Sequence, residues 1–389
     1  MTETASTAST PARLEALDAF RGATILAMIL VNNPGSWSHV YPPLRHADWH
    51  GWTPTDLVFP FFLFIVGVAI PLSIGRRLEA GVARSQVVRQ VLRRALVLVG
   101  LGLFLNAFPF VVDFETWLLR SFETLRFPGV LQRIAVCYAL AALLFVFVGR
   151  RVLVMTAWLC LFAYWALLTL VPLPGGVETD LAVKDQNLAA VIDRAVFGTH
   201  VWVSARTWDP EGLLSTMPAL ATTLFGVFTG CLLRTSAALQ GKVQHLFVRG
   251  SLLVAAGYVW DWFLPINKPL WTSSYVVFTA GQAMVVLALA LYAVDLRGQR
   301  FGLRPLLAYG VNPITVFVAS AVVARLLTTF RVTSSSGKRI ALKTWLYEGG
   351  YTSWIPDPQL ASFAFAATWV LGWYALLAWM QRRNIIIKV

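Results

Sequence analysis

Long apolar runs recur along almost the whole chain and are separated by short polar segments. A helix needs about 20 mostly apolar residues to cross a bilayer. Backbone groups in lipid must be paired within the segment, which favours helices over strands. The pattern therefore predicts an all-α, polytopic integral membrane helical bundle of about ten transmembrane helices. The runs cover residues 17–33, 56–74, 91–110, 129–148, 152–171, 212–233, 246–264, 273–294, 304–327 and 360–380.

The composition also indicates a membrane protein. Of the 389 residues, 57% are hydrophobic and 13% are charged, which is roughly half the charged fraction of a soluble domain. The net charge of +13 does not predict a nucleic-acid partner, because the basic residues fall in short loops between the apolar runs. The three cysteines all lie inside apolar runs, so we expect neither a disulfide framework nor a metal site.

The distribution of Lys and Arg predicts the orientation. With the N-terminus placed in the cytoplasm, 19 of these residues fall in cytoplasmic segments and four in the short outer loops. Short cytoplasmic loops carry an excess of basic residues. Both termini are therefore predicted to lie in the cytoplasm, with the segment around His46 on the outer side of the membrane and a lipid bilayer as partner.

The chain is predicted to form one transmembrane domain over residues 13–389, with long outer loops at about 172–211 and 328–359. Residues 1–12 are rich in Thr, Ser and Ala and read as a disordered tail. They contain no basic stretch, so we expect no cleavable signal. The GxxxG pattern at 226–230 favours ordinary packing between helices and leaves a homodimer open.

A titratable segment separates the first two apolar runs. It contains His39, His46 and His50, three of the five histidines. An imidazole can give and take a proton near neutral pH, and a carboxylate from Asp48 or Asp56 would fix its tautomer. His46 is the leading candidate, and the alternative is an interfacial histidine that bonds a loop carbonyl. Asp56 could equally serve as a cap for the second helix.

Three further side chains near or inside the apolar runs could carry chemistry. Asn32 ends the first run, where its amide could donate to an oxyanion or simply belong to a helix stop. Arg21 lies near the start of that run, at its cytoplasmic end, and could contact a phosphate, or snorkel beside Asp18. Arg133 lies inside an apolar run, where a charge is costly and usually functional or paired.

Polar residues also collect at the outer ends of later runs. Asp209 and Glu211 open the sixth run, where they could complement the helix dipole or bind a cationic sugar amine. Asn267, Lys268 and Trp271 flank another outer mouth. The tryptophan could be an interface anchor or a platform for a sugar ring.

Several short motifs occur in order from residue 14 onward. They are LEALDAFRG (14–22), VN (31–32), HADWHGWT (46–53), DLVFP (56–60), PGVLQR (128–133), DPEG (209–212), NK (267–268), WTS (271–273) and GVNP (310–313). Together they resemble the heparan-α-glucosaminide N-acetyltransferase family, most closely its bacterial NagX-like members, within a transmembrane acyltransferase superfamily. The resemblance covers nearly the whole chain from Arg13. Any one motif alone is weak, whereas their joint order is specific.

The resemblance implies an N-acetyltransferase in the bacterial inner membrane that transfers acetyl from cytoplasmic acetyl-CoA to an amino sugar outside. It assigns His46 as base or acetyl carrier, Asp56 as its orienting partner and Asn32 as oxyanion donor. The expected acetyl-CoA contacts are Arg21, Gln132, Arg133 and Asn312. The expected sugar contacts are His50, Asp209, Glu211, Asn267, Lys268 and Trp271. No metal is expected.

One position and one region differ from the lysosomal members of the family. Those enzymes have an asparagine where this chain has His50, a change that could alter the pocket or the choice of base. They also carry an N-terminal lumenal region that we expect this chain to lack. Glucosamine or another small amino sugar is therefore the expected acceptor.

The main alternative function is a transporter of N-acetylglucosamine or related amino sugars. The helical bundle, Arg133 and the Asn312-Pro313 interruption would suit a transporter, although no matching pair of interrupted helices is evident. The sequence contains no Walker motif, no GxGxxG after a strand and no HExxH. It therefore does not predict an ATPase, a dinucleotide enzyme or a zinc protease.

Overall fold

The computed structural model describes residues 14–113, 118–119, 121–334 and 337–387. The tail predicted for residues 1–12 lies outside these ranges. So do Arg13, Arg120 and Lys388, which contributed to the predicted orientation.

The described chain is mainly helical, which confirms the predicted fold class. Two short antiparallel pairs of strands accompany the helices, β1 (Val111–Asp113) with β2 (Leu118–Leu119) and β3 (Arg331–Thr333) with β4 (Arg339–Ala341). The helices are α1 (Glu15–Asn32), α2 (Val58–Ile70), α3 (Arg76–Glu79), α4 (Arg84–Ala107), α5 (Val130–Phe147), α6 (Arg150–Leu170), α7 (Leu188–Phe197), α8 (Thr216–Leu233), α9 (Leu239–Asp261), α10 (Ser273–Ala290), α11 (Leu303–Val311), α12 (Pro313–Thr329), α13 (Leu342–Tyr347) and α14 (Pro358–Arg382).

Several helices are long and apolar enough to cross a membrane, so the protein is a multi-pass membrane protein. Within the described ranges six qualify: Pro54–Glu79, which joins α2 and α3 through 3₁₀ and π turns, then α5, α6, α8, Ser273–Leu296 and α14. The pair α11 and α12 adds a seventh if it is one span, although the two helices are bent by 84°.

The predicted count of ten spans is not confirmed. The runs at 17–33, 91–110 and 246–264 do form helices, but α1, α4 and α9 are not among the six candidates. In α1 the reason is charge, because Glu15, Asp18 and Arg21 all fall within its 18 residues.

Small residues bring α2 and α8 into close contact at the centre of the bundle. A Cβ on Gly226 would collide with the carbonyl of Phe64, and a Cβ on Gly230 would crowd the carbonyl of Val68. Gly67 meets the carbonyl of Thr223 in the same way from the opposite side. The glycine face of the GxxxG pattern is thus occupied by α2, as the reading of ordinary packing between helices predicts.

The outer segment 172–211 contains the helix α7 and packs over the end of the bundle. Trp49 donates its indole N–H to the Leu181 carbonyl at 2.7 Å. The buried Asp193 carboxylate, on α7, accepts the backbone N–H groups of Asp209 at 3.1 Å and Leu213 at 2.9 Å. These bonds hold the chain that enters α8 against the outer cover.

Candidate active site

Asp56 anchors the polar segment between α1 and α2. It lies in the 3₁₀ turn that leads into α2 and its side chain is 1% exposed. One carboxylate oxygen, Oδ2, accepts the backbone N–H groups of Ala47 and Thr53, each at 3.0 Å. Asp56 and Thr53 form a capping box, so the predicted helix-cap role is present.

The other carboxylate oxygen of Asp56 faces His46. Asp56 Oδ1 lies 2.6 Å from His46 Nδ1. A proton on Nδ1 donated to this carboxylate leaves the lone pair of Nε2 available. The His46 side chain is 49% exposed although its partner is buried. Of the two carboxylates that the sequence offered as partners, Asp56 makes this contact and serves as a cap at the same time.

Lys268 approaches the same pair from the loop between α9 and α10. Its Nζ lies 2.9 Å from His46 Nδ1, 3.3 Å from His46 Nε2 and 3.4 Å from Asp56 Oδ1. Burial lowers the pKa of Lys268, although the Asp56 and Glu211 carboxylates oppose this change. The sequence predicted Lys268 as a sugar contact, whereas the structure places it beside the imidazole.

These groups open onto a cavity of about 450 Å³, which we call the outer cavity after the orientation predicted from the sequence. It lies where α1 ends and α2 begins, and the segments around residues 202–211 and 268–271 close its other side. Six of the predicted site residues line it. They are Asn32, His46, Asp56, Glu211, Lys268 and Trp271.

A second charged cluster forms one wall of this outer cavity. Arg126 Nε donates to Asp209 Oδ2 at 2.8 Å and its NH2 to Asp209 Oδ1 at 2.5 Å, and it also pairs with Glu211. Burial raises the pKa of Asp209. Burial lowers the pKa of Arg126, but the two carboxylates outweigh it and the net change is an increase. Glu211 lines the cavity, while Asp209 is buried behind it.

Arg133 supports the cavity wall from behind. It is 2% exposed, and its NH2 donates to the Gly212 carbonyl at 3.0 Å and to the Ser215 hydroxyl. Its guanidinium carbon lies 5.2 Å from the centre of the Trp271 ring. Its neighbour Gln132 donates to the Phe127 carbonyl at 3.0 Å. Both were predicted to contact acetyl-CoA, but in the structure they bond the segments that form the wall.

His50 and Asn267 form a contact beside the cavity. Asn267 Nδ2 lies 3.3 Å from His50 Nδ1, and burial lowers the pKa of His50. Asn267 is fully buried, and its Oδ1 accepts the Leu270 N–H at 2.8 Å. The two predicted sugar contacts therefore shape the loop that carries Lys268.

An inner cavity of about 370 Å³ lies at the other end of α1. Arg21 and Arg94 line it together with Tyr138. Arg21 and Asn32 are eleven residues apart on α1, which corresponds to roughly 16 Å along a helix axis. The two cavities thus lie at opposite ends of this helix.

A narrow apolar neck separates the two cavities. Its own volume is about 10 Å³, roughly the space of one water molecule. Met28, Phe59, Val130 and Phe317 line both the neck and the outer cavity. Phe62, Leu131, Ile134, Pro313 and Ile314 line both the neck and the inner cavity.

Asn312 lies at the break between α11 and α12. Its Nδ2 donates to the Ile385 carbonyl at 3.1 Å, and its Oδ1 accepts the Ile387 N–H at 2.9 Å. Ile387 in turn lines the inner cavity. The amide predicted to contact acetyl-CoA therefore holds the segment that follows α14.

The sequence reasoning missed some residues of the outer cavity. Arg126 was counted only as a loop charge, and nothing in its local sequence indicates that it pairs with residues 83 and 85 positions away. Trp208 also lines the cavity, and its place directly before Asp209 could have drawn attention to it.

Comparison with known proteins finds similarity to one group of enzymes. The family model for the heparan-alpha-glucosaminide N-acetyltransferase catalytic region matches residues 13–184. The heparan-alpha-glucosaminide N-acetyltransferase of Homo sapiens is 29% identical over 361 residues, and that of Mus musculus is 28% identical over 359 residues. Each alignment covers 80% of this chain and 53% of the relative, so the chain spans about half the length of the curated relatives it matches. Over residues 13–184 the chain is thus similar to the catalytic region of the heparan-alpha-glucosaminide N-acetyltransferases.

Proposed function

We propose that the protein is a transmembrane N-acetyltransferase. It would move acetyl from cytoplasmic acetyl-CoA to the amine of glucosamine or a similar small amino sugar on the outer, periplasmic side of a bacterial inner membrane. The observation that carries this proposal is the His46 imidazole, bonded to the buried Asp56 carboxylate at 2.6 Å and open to the outer cavity. The match of residues 13–184 to the model of an N-acetyltransferase catalytic region supports it.

The chemistry assigned to the outer cavity is attack of an amine on a thioester. His46 Nε2 would take the proton that the attacking nitrogen loses, or would carry the acetyl group transiently as a nucleophile. Asp56 would hold the imidazole in the tautomer that leaves Nε2 free. Asn32, which lines the same cavity, would donate to the oxyanion of the tetrahedral intermediate.

The inner cavity suits the phosphate-bearing part of acetyl-CoA. Arg21 and Arg94 both line it, and a guanidinium group matches the geometry of phosphate oxygens. The acetyl end of the donor would then have to pass the apolar neck to reach His46. The shared lining of the neck and the two cavities supports such a route.

The outer cavity wall suits a cationic sugar. Glu211 offers a carboxylate to an ammonium group, and Trp208 and Trp271 offer aromatic surface to a sugar ring. Arg126 would compete with the sugar ammonium for Glu211. Because Arg126 also pairs with Asp209, it would keep a partner when Glu211 binds the sugar. We therefore assign Glu211 as the acceptor's charge partner and the two tryptophans as its walls.

Sealed vesicles that contain the purified protein test the proposal. Radiolabelled acetyl-CoA is placed inside and glucosamine outside, and labelled N-acetylglucosamine is expected outside with the wild-type protein and not with empty vesicles. His46→Ala should abolish the transfer. His39→Ala is the matched control, because His39 is exposed and its Nδ1 contacts Ser36 and Ser38. Loss of transfer in both variants, or no transfer by the wild type, would contradict the proposal.

A transporter of amino sugars is the second candidate. The 84° bend between α11 and α12 beside the inner cavity favours it, because interrupted helices often line transport sites. Flux of glucosamine or N-acetylglucosamine into vesicles without acetyl-CoA, combined with no acetyl transfer, would establish this alternative.

The orientation is part of the proposal. Both termini are assigned to the cytoplasm from the distribution of basic residues, whereas an odd number of spans would place them on opposite sides. Fusions of a periplasm-active reporter after Arg382 and within the segment 172–187 distinguish the two arrangements. We expect activity only from the second fusion.

A further inference from the structure

The Lys268 ammonium contacts both nitrogens of the proposed base. Its Nζ lies 2.9 Å from His46 Nδ1 and 3.3 Å from His46 Nε2. The Lys268 side chain is 18% exposed, which is low for a residue type that is almost never buried without a partner. Asp56 Oδ1, at 3.4 Å, supplies that partner.

The loop that carries Lys268 is fixed to the segment that carries His46. Gly51 N–H donates to the Ile266 carbonyl at 2.7 Å. The Lys268 carbonyl accepts the Trp271 N–H at 3.0 Å, and the Asn267 carbonyl accepts the Thr272 N–H at 3.1 Å. These backbone hydrogen bonds therefore help to fix the Lys268 ammonium beside the His46 imidazole, because they join the two segments that carry these side chains.

A sugar-binding role does not suit this charge. The acceptor of the proposed reaction carries an amine, and a second ammonium at the attack site would repel its protonated form. The other product of the reaction is a thiolate, which develops negative charge as the carbon–sulfur bond breaks. The Lys268 ammonium, next to the base, could neutralise the negative charge that develops on that sulfur.

We propose that Lys268 is the general acid that protonates the departing thiolate of acetyl-CoA. The inference rests on the proposed acetyltransferase function and deepens it. The neutral amine attacks the thioester carbon, a nitrogen–carbon bond forms, and the nitrogen loses one proton to His46 Nε2. The carbon–sulfur bond then breaks with its electron pair on sulfur, and Lys268 Nζ gives that sulfur a proton.

The contact between Lys268 and His46 also allows both side chains to return to their starting protonation states. After one turnover His46 is an imidazolium and Lys268 a neutral amine. At 3.3 Å the proton on His46 Nε2 can return to Lys268 Nζ directly. The same acid serves a route through acetyl-His46, because the thiolate leaves in the first step of that route as well. Burial lowers the pKa of Lys268, which makes its ammonium a stronger acid than a solvated one.

Donors with different leaving groups test this role. S-acetyl-N-acetylcysteamine releases an alkyl thiolate that needs a proton, whereas S-acetyl-4-nitrothiophenol releases a stable aryl thiolate that does not. Lys268→Met should lower kcat with acetyl-CoA and with the alkyl donor by about 100-fold or more. With the aryl donor its rate should stay within a few-fold of the wild-type rate. Lys343→Met, a lysine of α13, is the control and should keep wild-type rates with all donors.

Lys268→Arg and the pH dependence supply a second readout. Arginine keeps the charge but holds its proton too tightly to act as an acid. The wild-type rate with the alkyl donor should fall as pH rises through the Lys268 pKa. In Lys268→Arg the maximal rate should be lower than in the wild type, and its fall with pH should lie beyond the measurable pH range.

Three results would overturn the role. An equal loss with alkyl and aryl donors in Lys268→Met would show that the lysine does not act on the leaving group. Full activity of Lys268→Arg with the alkyl donor would show that its charge alone is needed. No transfer from any donor by the wild-type protein would overturn the proposed function itself, and the role with it.

Discussion

Two clusters of opposite charges lie at the outer cavity, and they differ in which partner is buried. In the His46 cluster the carboxylate of Asp56 is buried, while the imidazole is half exposed. In the Arg126 cluster Asp209 is fully buried and Arg126 itself is mostly buried between two carboxylates. An imidazole at the cavity can exchange a proton, whereas the guanidinium of Arg126, which also lines the cavity, keeps its proton and holds two carboxylates in place.

We therefore expect the first cluster to take part in the chemistry and the second to hold the structure together. Variants in the first should lower the rate of transfer and leave the fold stable. Variants in the second should destabilise the fold or weaken acceptor binding. Unfolding of the first-cluster variants, or stable second-cluster variants with normal acceptor binding, would contradict this difference between the clusters.

The largest expected effect is on catalysis in the first cluster. Asp56→Asn preserves the shape of the side chain and can keep one capping bond, but it removes the charge that orients His46. We expect kcat to fall by about 10³-fold, with a loss of stability near 1 kcal/mol. Acetyl transfer and thermal unfolding in detergent measure the two effects. A variant that unfolds at a much lower temperature would contradict the assignment to chemistry.

The largest expected effect on stability is in the second cluster. Arg126→Met leaves Asp209 and Glu211 without their shared cation, and an unpaired buried charge typically costs about 3–5 kcal/mol. Denaturation in detergent should show this loss. Arg206→Met is a matched control, because Arg206 belongs to the same outer segment, and it should unfold like the wild type. An Arg126→Met protein as stable as the wild type would show that Arg126 does not stabilise the fold.

The pH dependence of stability should come partly from Asp193 behind the second cluster. Burial raises its pKa from 3.8 to about 6, so the folded protein binds this proton more tightly than the unfolded chain. Its contribution to stability is complete below pH 4 and is lost as pH rises through 6, by about 3 kcal/mol in total. In Asp193→Asn the melting temperature should change less with pH between pH 4 and 6.5 than it does in the wild type. An equally steep pH dependence in the variant would show that Asp193 is not its source.

The smallest expected effect lies at the boundary between the two clusters. Glu211 belongs to the second cluster but lines the cavity. Glu211→Gln should raise KM for glucosamine about tenfold, which corresponds to about 1.4 kcal/mol, and leave KM for acetyl-CoA unchanged. Steady-state kinetics with each substrate varied in turn would detect this. A change in KM for acetyl-CoA alone would assign Glu211 to the donor.

The sequence predicted the features that depend on local pattern. Apolar runs predicted the helices, and the Thr53-Pro54 start predicted the cap at Asp56. The count of ten spans is not confirmed, and for α1 the three charged residues within its 18 residues are the reason. Catalytic roles for His46, Asp56 and Asn32 remain predictions.

Features that depend on packing between distant segments could not be predicted. Arg126 meets Asp209 across 83 positions, and no local pattern encodes that contact. Arg133 was expected to be functional because a charge in an apolar run is costly. In the structure its NH2 donates to the Gly212 carbonyl and the Ser215 hydroxyl and its guanidinium faces the Trp271 ring, whereas its Nε and NH1 are buried and make no hydrogen bond within the described residues.

The narrow neck between the cavities has a consequence for the energy supply of the cell. With a volume of about 10 Å³ and an apolar lining, it has no room for a continuous file of water molecules, so protons and ions lack a hydrated path through it. A membrane that contains this protein should therefore keep its electrochemical gradient while the neck is in this closed state, and the proposed acetyl transfer would open the neck only while the donor occupies it. Vesicles that carry the protein should hold an imposed pH difference as long as vesicles without it, and Phe317→Ala, which widens the neck, should shorten that time.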